Sequence, residues 1–193
     1  MADYEANVAP FINQIFYVTG MYGVQRPTHM HVGIDLATSN VENMYSILDG
    51  TVINKGNTPA RGNYIVVKGN NGYAFLYQHM ENPTPLSVGD KVQIGQFVGR
   101  EGTTGNVTGL HLHMEMQNLS SGRDWYFGND ISYYINPAKY MGFPNKTGIS
   151  VFYNGTPIDP EPPEPPEPPK PIEKSKNSIK WLQYKMRKIN IFT

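Results

Sequence analysis

The chain has 193 residues, with 16 Lys/Arg balanced by 16 Asp/Glu and no cysteine. That length allows one domain with a real core plus an appendage. Zero formal charge gives no global field to draw the chain onto nucleic acid. Without thiols there are no disulfides, thiolate metal ligands or cysteine nucleophile, and no run approaches the ~20 apolar residues of a membrane span.

The opening Met1-Ala2-Asp3-Tyr4-Glu5 has neither the basic region nor the apolar core of a signal peptide. Work outside a cell would need another route or a longer parent chain. Phe11, Ile12, Ile15 and Phe16 are spaced for a short helix or turn that packs on the core. Gly20 to Thr28 reads as a loop that delivers His29, His31 and Asp35. After the Asp49-Gly50 turn, Thr51–Lys55 and Asn63–Lys68 read as strands, with a loop at 56–62 between them. Gly69 to Gly72 turns the chain into the alternating run Tyr73–Met80, which carries His79. Two short strands follow at 88–92 and 96–100. The next is His111-Leu112-His113-Met114-Glu115-Met116, after a Gly/Thr-rich turn. Strands separated by Gly/Asn/Asp turns predict an all-β, mainly antiparallel domain.

Residues 120–134 are irregular and aromatic, and serve either as a loop folded onto the core or as a wall of a substrate groove. Asn136-Pro137 to Phe143 suits a closing turn of helix. The expected domain is 1–156, with its motifs in 20–143. Residues 157–171 hold nine prolines, which predicts a polyproline II spacer over 157–172; a Pro-rich ligand for a recognition domain is the alternative. The tail, 173–193, has six basic and no acidic residues from Lys174 onward. It reads as a docking helix, a weak wall- or membrane-surface anchor, or a solvated basic segment.

The chemistry centres on histidine. On a strand, residues i and i+2 share a face, so His111 and His113 project together while Leu112, Met114 and Met116 face a core. There are only five histidines, and His31, His79 and the His111/His113 pair sit in three separate segments. Asp35 adds a carboxylate four residues after His31. A catalytic zinc commonly keeps three protein ligands and one position for water; His31, Asp35 and His113 fit that count. Bound zinc lowers the pKa of its water to about 7 and polarises a carbonyl. His79 and His111 are then the unspent imidazoles for proton transfer. Metal-assisted amide hydrolysis is the expected reaction. A His-Glu-x-x-His helix and a nucleophile elbow are both missing.

Five stretches in order carry a resemblance: His31-Val32-Gly33-Ile34-Asp35, Asp49-Gly50-Thr51-Val52 with Gly62–Val66, Tyr77-Gln78-His79-Met80, Val88-Gly89-Asp90-Lys91-Val92 to Gly99, and Gly102-Thr103-Thr104-Gly105 to His111-Leu112-His113-Met114-Glu115. Over roughly 20–140 the chain resembles the lysostaphin/LytM-type zinc endopeptidases, which cut peptide cross-links of bacterial peptidoglycan. The resemblance implies Zn2+ on His31, Asp35 and His113, with His79 and His111 catalytic. It implies a small two-layer β-sheet domain with a groove walled by loops, and peptidoglycan peptide as substrate. His29 has no counterpart and reads as loop or rim. Met80, Leu110 and Met114 depart from the family's usual leucine, proline and phenylalanine, which concerns packing. Glycine bridges and direct cross-links remain open as substrates. The context further suggests a wall-degrading domain of a phage tail, with other virion tail proteins as partners of the basic tail. A non-catalytic wall-binding or structural module on the same fold is the competing expectation.

Overall fold

The computed structural model describes residues 1–158. The basic tail and all but the first residues of the Pro-rich spacer lie outside the described residues. The strands are β1 (Tyr4–Glu5), β2 (Ile15–Gly20), β3 (Gly33–Ala37), β4 (Asn43–Tyr45), β5 (Gly50–Thr58), β6 (Gly62–Gly69), β7 (Tyr73–Met80), β8 (Lys91–Val92), β9 (Phe97–Arg100), β10 (Leu112–Asn118) and β11 (Ser150–Phe152). Among the described residues, nine form one sheet in the order β1-β11-β2-β3-β10-β7-β6-β5-β8, while β4 pairs with β9 in a second, two-stranded sheet. The β1–β11 pair is parallel. The other ladders are antiparallel. No helix among the described residues is long and apolar enough to cross a membrane.

The large sheet is buried on two faces, and alternation assigns each side chain to one of them. Ile34 and Leu36 of β3, Phe75 and Tyr77 of β7, and Leu112, Met114 and Met116 of β10 enter the main core. Met44 of β4 and Val98 of β9 close that core from the small sheet. Val66, Ala74 and Leu76 have the opposite parity and pack with Trp125 and Tyr134 in a second cluster. Asp35, Gln78 and His113 share this second parity. The apolar alternation in β10 therefore sends its polar residues to the other face.

Two local expectations are revised. Of the short helix or turn expected over Phe11 to Phe16, no helix forms: bends lead into β2, whose residues alternate exposed and buried from Ile15 to Gly20. Phe11, Ile12 and Phe16 are buried as expected, but Ile15 is exposed, and pairing of β2 with β3 and β11 satisfies the strand's backbone. Four apolar positions over six residues are too few to sustain an isolated helix. The loop expected at 56–62 is mostly strand, because β5 continues through Thr58 opposite Gly62. Its polar Lys55-Gly56-Asn57 stretch masks the strand.

The aromatic segment packs onto the core: Trp125 and Tyr134 are buried and Tyr126 stacks on Tyr133 at 4.1 Å, while Phe127 is exposed. The closing helix forms as expected over Pro137–Met141 (α1), with the Asn136 side chain accepting from Ala138 N–H and Gly142 ending it in the left-handed region.

Candidate metal centre

The register of three adjacent strands builds the site. His113 of β10 lies directly opposite Asp35 of β3 and directly opposite Gln78 of β7 on its other side. Same-face partners in a ladder have Cβ atoms about 5 Å apart, so these side chains meet. His31 enters from the segment just before β3 and is buried. Its Nε2 lies 3.0 Å from His113 Nδ1 and 3.1 Å from Asp35 Oδ1. His113 Nδ1 is 2.8 Å from the same carboxylate oxygen. The three donors converge on one point.

The surrounding hydrogen bonds show which ring nitrogens face inward. His31 Nδ1 donates to the Met21 carbonyl at 2.6 Å, which turns a bare Nε2 toward the centre. His113 Nε2 lies 3.3 Å from Glu115 Oε1, an oxygen that also accepts from Gln78 Nε2 at 2.7 Å. This arrangement leaves His113 Nδ1 as the inward donor. Two imidazole lone pairs facing each other at 3.0 Å repel unless a cation stands between them. A tetrahedral zinc with bonds near 2.1 Å would hold its donors roughly 3.4 Å apart. Two imidazoles and one carboxylate, each held from behind by a second group, fit that ion.

A proton takes the same place in the metal-free protein. Burial alone would pull the His113 imidazole down, but hydrogen bonds to Asp35 and Glu115 outweigh it and push it up to about 9. Burial would raise Asp35, yet the hydrogen bond from His113 and the close His31 imidazole hold it far below the usual carboxylate range. Its second oxygen, Oδ2, accepts from Arg26 Nη2 at 2.6 Å. Space is made by two glycines: a Cβ at Gly20 would lie 2.1 Å from Asp35 Oδ2, and one at Gly33 would lie 2.5 Å from His113 Nε2.

His79 and His111 reach the centre by different means. His111 pairs by an isolated bridge with Gly102, one residue ahead of β10. Its Nδ1 donates to Gly109 O at 3.0 Å, and its Nε2 lies 3.8 Å from Asp35 Oδ1. His79 has the wrong parity for this face, but the β6–β7 register shifts between Asn63 and Ile65, so that Gln78 and His79 together oppose Tyr64. At this bulge His79 adopts φ 64°, a conformation costly for a residue with a Cβ and often found at functional sites. The extra residue re-aims the imidazole, whose ring centroid is 4.9 Å from that of His111 and 6.0 Å from that of His113. Its Nδ1 donates to Thr104 O at 2.9 Å, leaving Nε2 free. Burial, with the neighbouring His113 charge, lowers the His79 pKa to about 4, so this imidazole is neutral at ordinary pH.

Four of the five histidines thus surround one centre together with Asp35. His29 does not join them; its Nδ1 contacts Thr28 Oγ1 at 2.9 Å. Sequence reasoning missed Arg26, Gln78, Thr104 and the supporting role of Glu115. Glu115 had a readable signal, since it shares the strand face of His113 two residues on. Gln78 was a polar break in an apolar run. Arg26 had none.

A family model for "Peptidase family M23" matches residues 29–125. Among similar proteins is the peptidoglycan DD-endopeptidase ShyA of Vibrio cholerae, 36% identical over 96 residues, which are 50% of this chain and 22% of that protein. The chain therefore spans about a fifth of that relative's length. The catalytic domain of the antimicrobial peptidase lysostaphin from Staphylococcus simulans superposes with a TM-score of 0.53 at 27% identity, over 67% of this chain and 92% of that one. The catalytic domain of EnpA, a prophage-encoded protein of Enterococcus faecalis, superposes with a TM-score of 0.54 at 28% identity, over 70% and 98% of the two chains. The matched residues include every donor of the centre and both remaining imidazoles, on a mainly antiparallel sheet of the lysostaphin type; the chain belongs to peptidase family M23.

Proposed function

We propose that this domain is a zinc-dependent endopeptidase that hydrolyses peptide cross-links of bacterial peptidoglycan. One observation carries the reading: three inward donors, His31, Asp35 and His113, face two imidazoles, His79 and His111, whose Nδ1 atoms are both occupied by backbone carbonyls. Zinc in such a site polarises a scissile carbonyl and makes its water acidic. The Nε2 atoms of His79 and His111 then serve two needs of amide hydrolysis. One takes a proton from the attacking water on its bare Nε2, and the other, carrying a proton on Nε2 as an imidazolium, donates to the developing oxyanion or the leaving amine. Glu115, through His113, and Arg26, through Asp35, hold the ligands in place. The peptidoglycan substrate follows the relatives named above.

A place on a phage, where the domain would open the wall during entry and its basic tail would bind other virion proteins, draws support from the likeness to the prophage-encoded EnpA domain. The filled ligand positions weigh against a non-catalytic wall-binding or structural module. The test is digestion of cross-linked peptidoglycan by the wild type and His113→Ala, with zinc content measured on both. Cleaved cross-links from the wild type alone support the peptidase. Zinc bound and no cleavage from either would move the assignment to the binding module.

A further inference from the structure

Arg61 stands out among the arginines of the described residues. Arg26 pairs with Asp35 and Arg100 with Glu81, and Arg123 donates to the carbonyls of Asn118 and Tyr133. Among the described residues, the Arg61 guanidinium makes no hydrogen bond or ion pair. Its Nε is buried without a partner, and its Cζ lies 5.0 Å over the ring of Phe127. Phe127 is itself exposed and belongs to the aromatic segment that the catalytic reading leaves unused.

The backbone of Arg61 is fixed beside that of His79. It sits in the turn between β5 and β6, and its carbonyl accepts from the backbone N–H of His79 at 3.0 Å. Its own N–H donates to Thr58 Oγ1 at 3.1 Å. The 102–109 loop presses on the same turn, where a Cβ on Gly105 would lie 2.7 Å from the Arg61 carbonyl carbon. The backbone of Arg61 is thus tied to a proposed catalytic residue. Its planar fork rests on an aromatic face with its edge donors unspent. A guanidinium in that state matches a carboxylate in shape and charge. A partly desolvated, unpaired donor also gains more from an incoming anion than a solvated one would.

We propose that Arg61 binds a carboxylate of the peptide substrate beside the scissile bond, so that this site selects anionic direct cross-links over neutral glycine bridges; this rests on the endopeptidase reading above. In a direct cross-link through a diaminodicarboxylic acid, a free carboxylate sits on the carbon that bears the scissile amide nitrogen. A glycine bridge has no such group. Arg61 is a specificity residue here: it anchors the amine side of the substrate while the His79 and His111 imidazoles handle protons.

The test uses the full chain, zinc-loaded, and a matched pair of synthetic cross-linked peptides. One carries the free carboxylate beside the scissile amide and the other carries it as a carboxamide. The wild type is expected to prefer the acid by about tenfold to a hundredfold in kcat/KM, as one charged hydrogen-bonded pair allows, mainly through KM. In Arg61→Gln the acid-to-amide ratio falls to about one, and Arg61→Lys keeps part of it. Zinc content and Tm of each variant report whether the centre is intact. Equal cleavage of acid and amide by the wild type overturns the assignment while leaving the peptidase intact, and so does a preference that survives Arg61→Gln. A wild type that cuts neither peptide, nor whole peptidoglycan, overturns the peptidase and the Arg61 assignment together.

Discussion

The carboxylate of Glu115 never faces the metal position, yet it governs His113 by taking its outward N–H. Outer-shell partners of this kind commonly alter metal affinity by about 10–100-fold. Glu115→Gln should weaken zinc by that range in a chelator competition, while His113→Ala should abolish stoichiometric zinc and peptidoglycan cleavage alike. Protons compete for the same place. In the metal-free protein His113 sits at about 9 against an ordinary 6.5, so its contribution to stability is complete below pH 6.5 and is lost as pH rises through about 9. His79 has the opposite sign, at about 4 against 6.5, and costs stability as pH falls below 6.5. The metal-free Tm should therefore pass through a maximum near pH 6.5, and zinc should flatten its alkaline limb. That His31, Asp35, His79, His111 and His113 meet at one place could be anticipated because few side chains offer such chemistry and histidine is scarce in this chain. Gln78 and Arg26 could not be, because each acts through a partner that only the fold supplies: Glu115, 37 positions away from Gln78, and one oxygen of Asp35 for Arg26.

Strands, more than loops, set the geometry. β10 serves two masters: its apolar parity is core and its polar parity is the centre. Leu112 is fully buried among core residues, and Leu112→Ala should cost about 2–5 kcal/mol. It should lower Tm with zinc stoichiometry retained in the folded protein. Gly33→Ala tests the other parity. Its Cβ would press on His113 Nε2 and on the Met114 carbonyl at 2.6 Å, so both stability and zinc affinity should fall, the former by about 1–3 kcal/mol of overpacking, read as a lower Tm. Hairpins such as β6–β7 were legible because turn residues and alternation coincide there. β1 and β11 were not, being three residues or fewer with pairing partners at the far end of the chain. The bulge at His79 was equally hidden: its run alternates regularly on paper, and simple alternation would have turned His79 into the main core.

At the scale of the molecule, the described residues 1–158 fall in one compact unit, with the N-terminal β1 paired to β11. A chain ended after Pro160 should keep a single cooperative thermal transition and full zinc content; loss of either would mean the basic tail contributes to the fold. The all-β architecture was legible from turn spacing, but the two-faced burial of the sheet was not, because the second apolar face is completed by Trp125 and Tyr134 from an irregular segment.

His113 is separated from His31 by 82 positions and from Asp35 by 78, so an ion held by all three staples strands β3 and β10 across a long loop. A chain without cysteine has no disulfide to do this. Metal binding here is then also a mechanical matter: it removes freedom from the unfolded chain as a cross-link would. Chelation should appear first as faster amide hydrogen exchange along β3 and β10, with β5 and β6 left protected, so that the domain's durability becomes a property of how slowly it releases its ion.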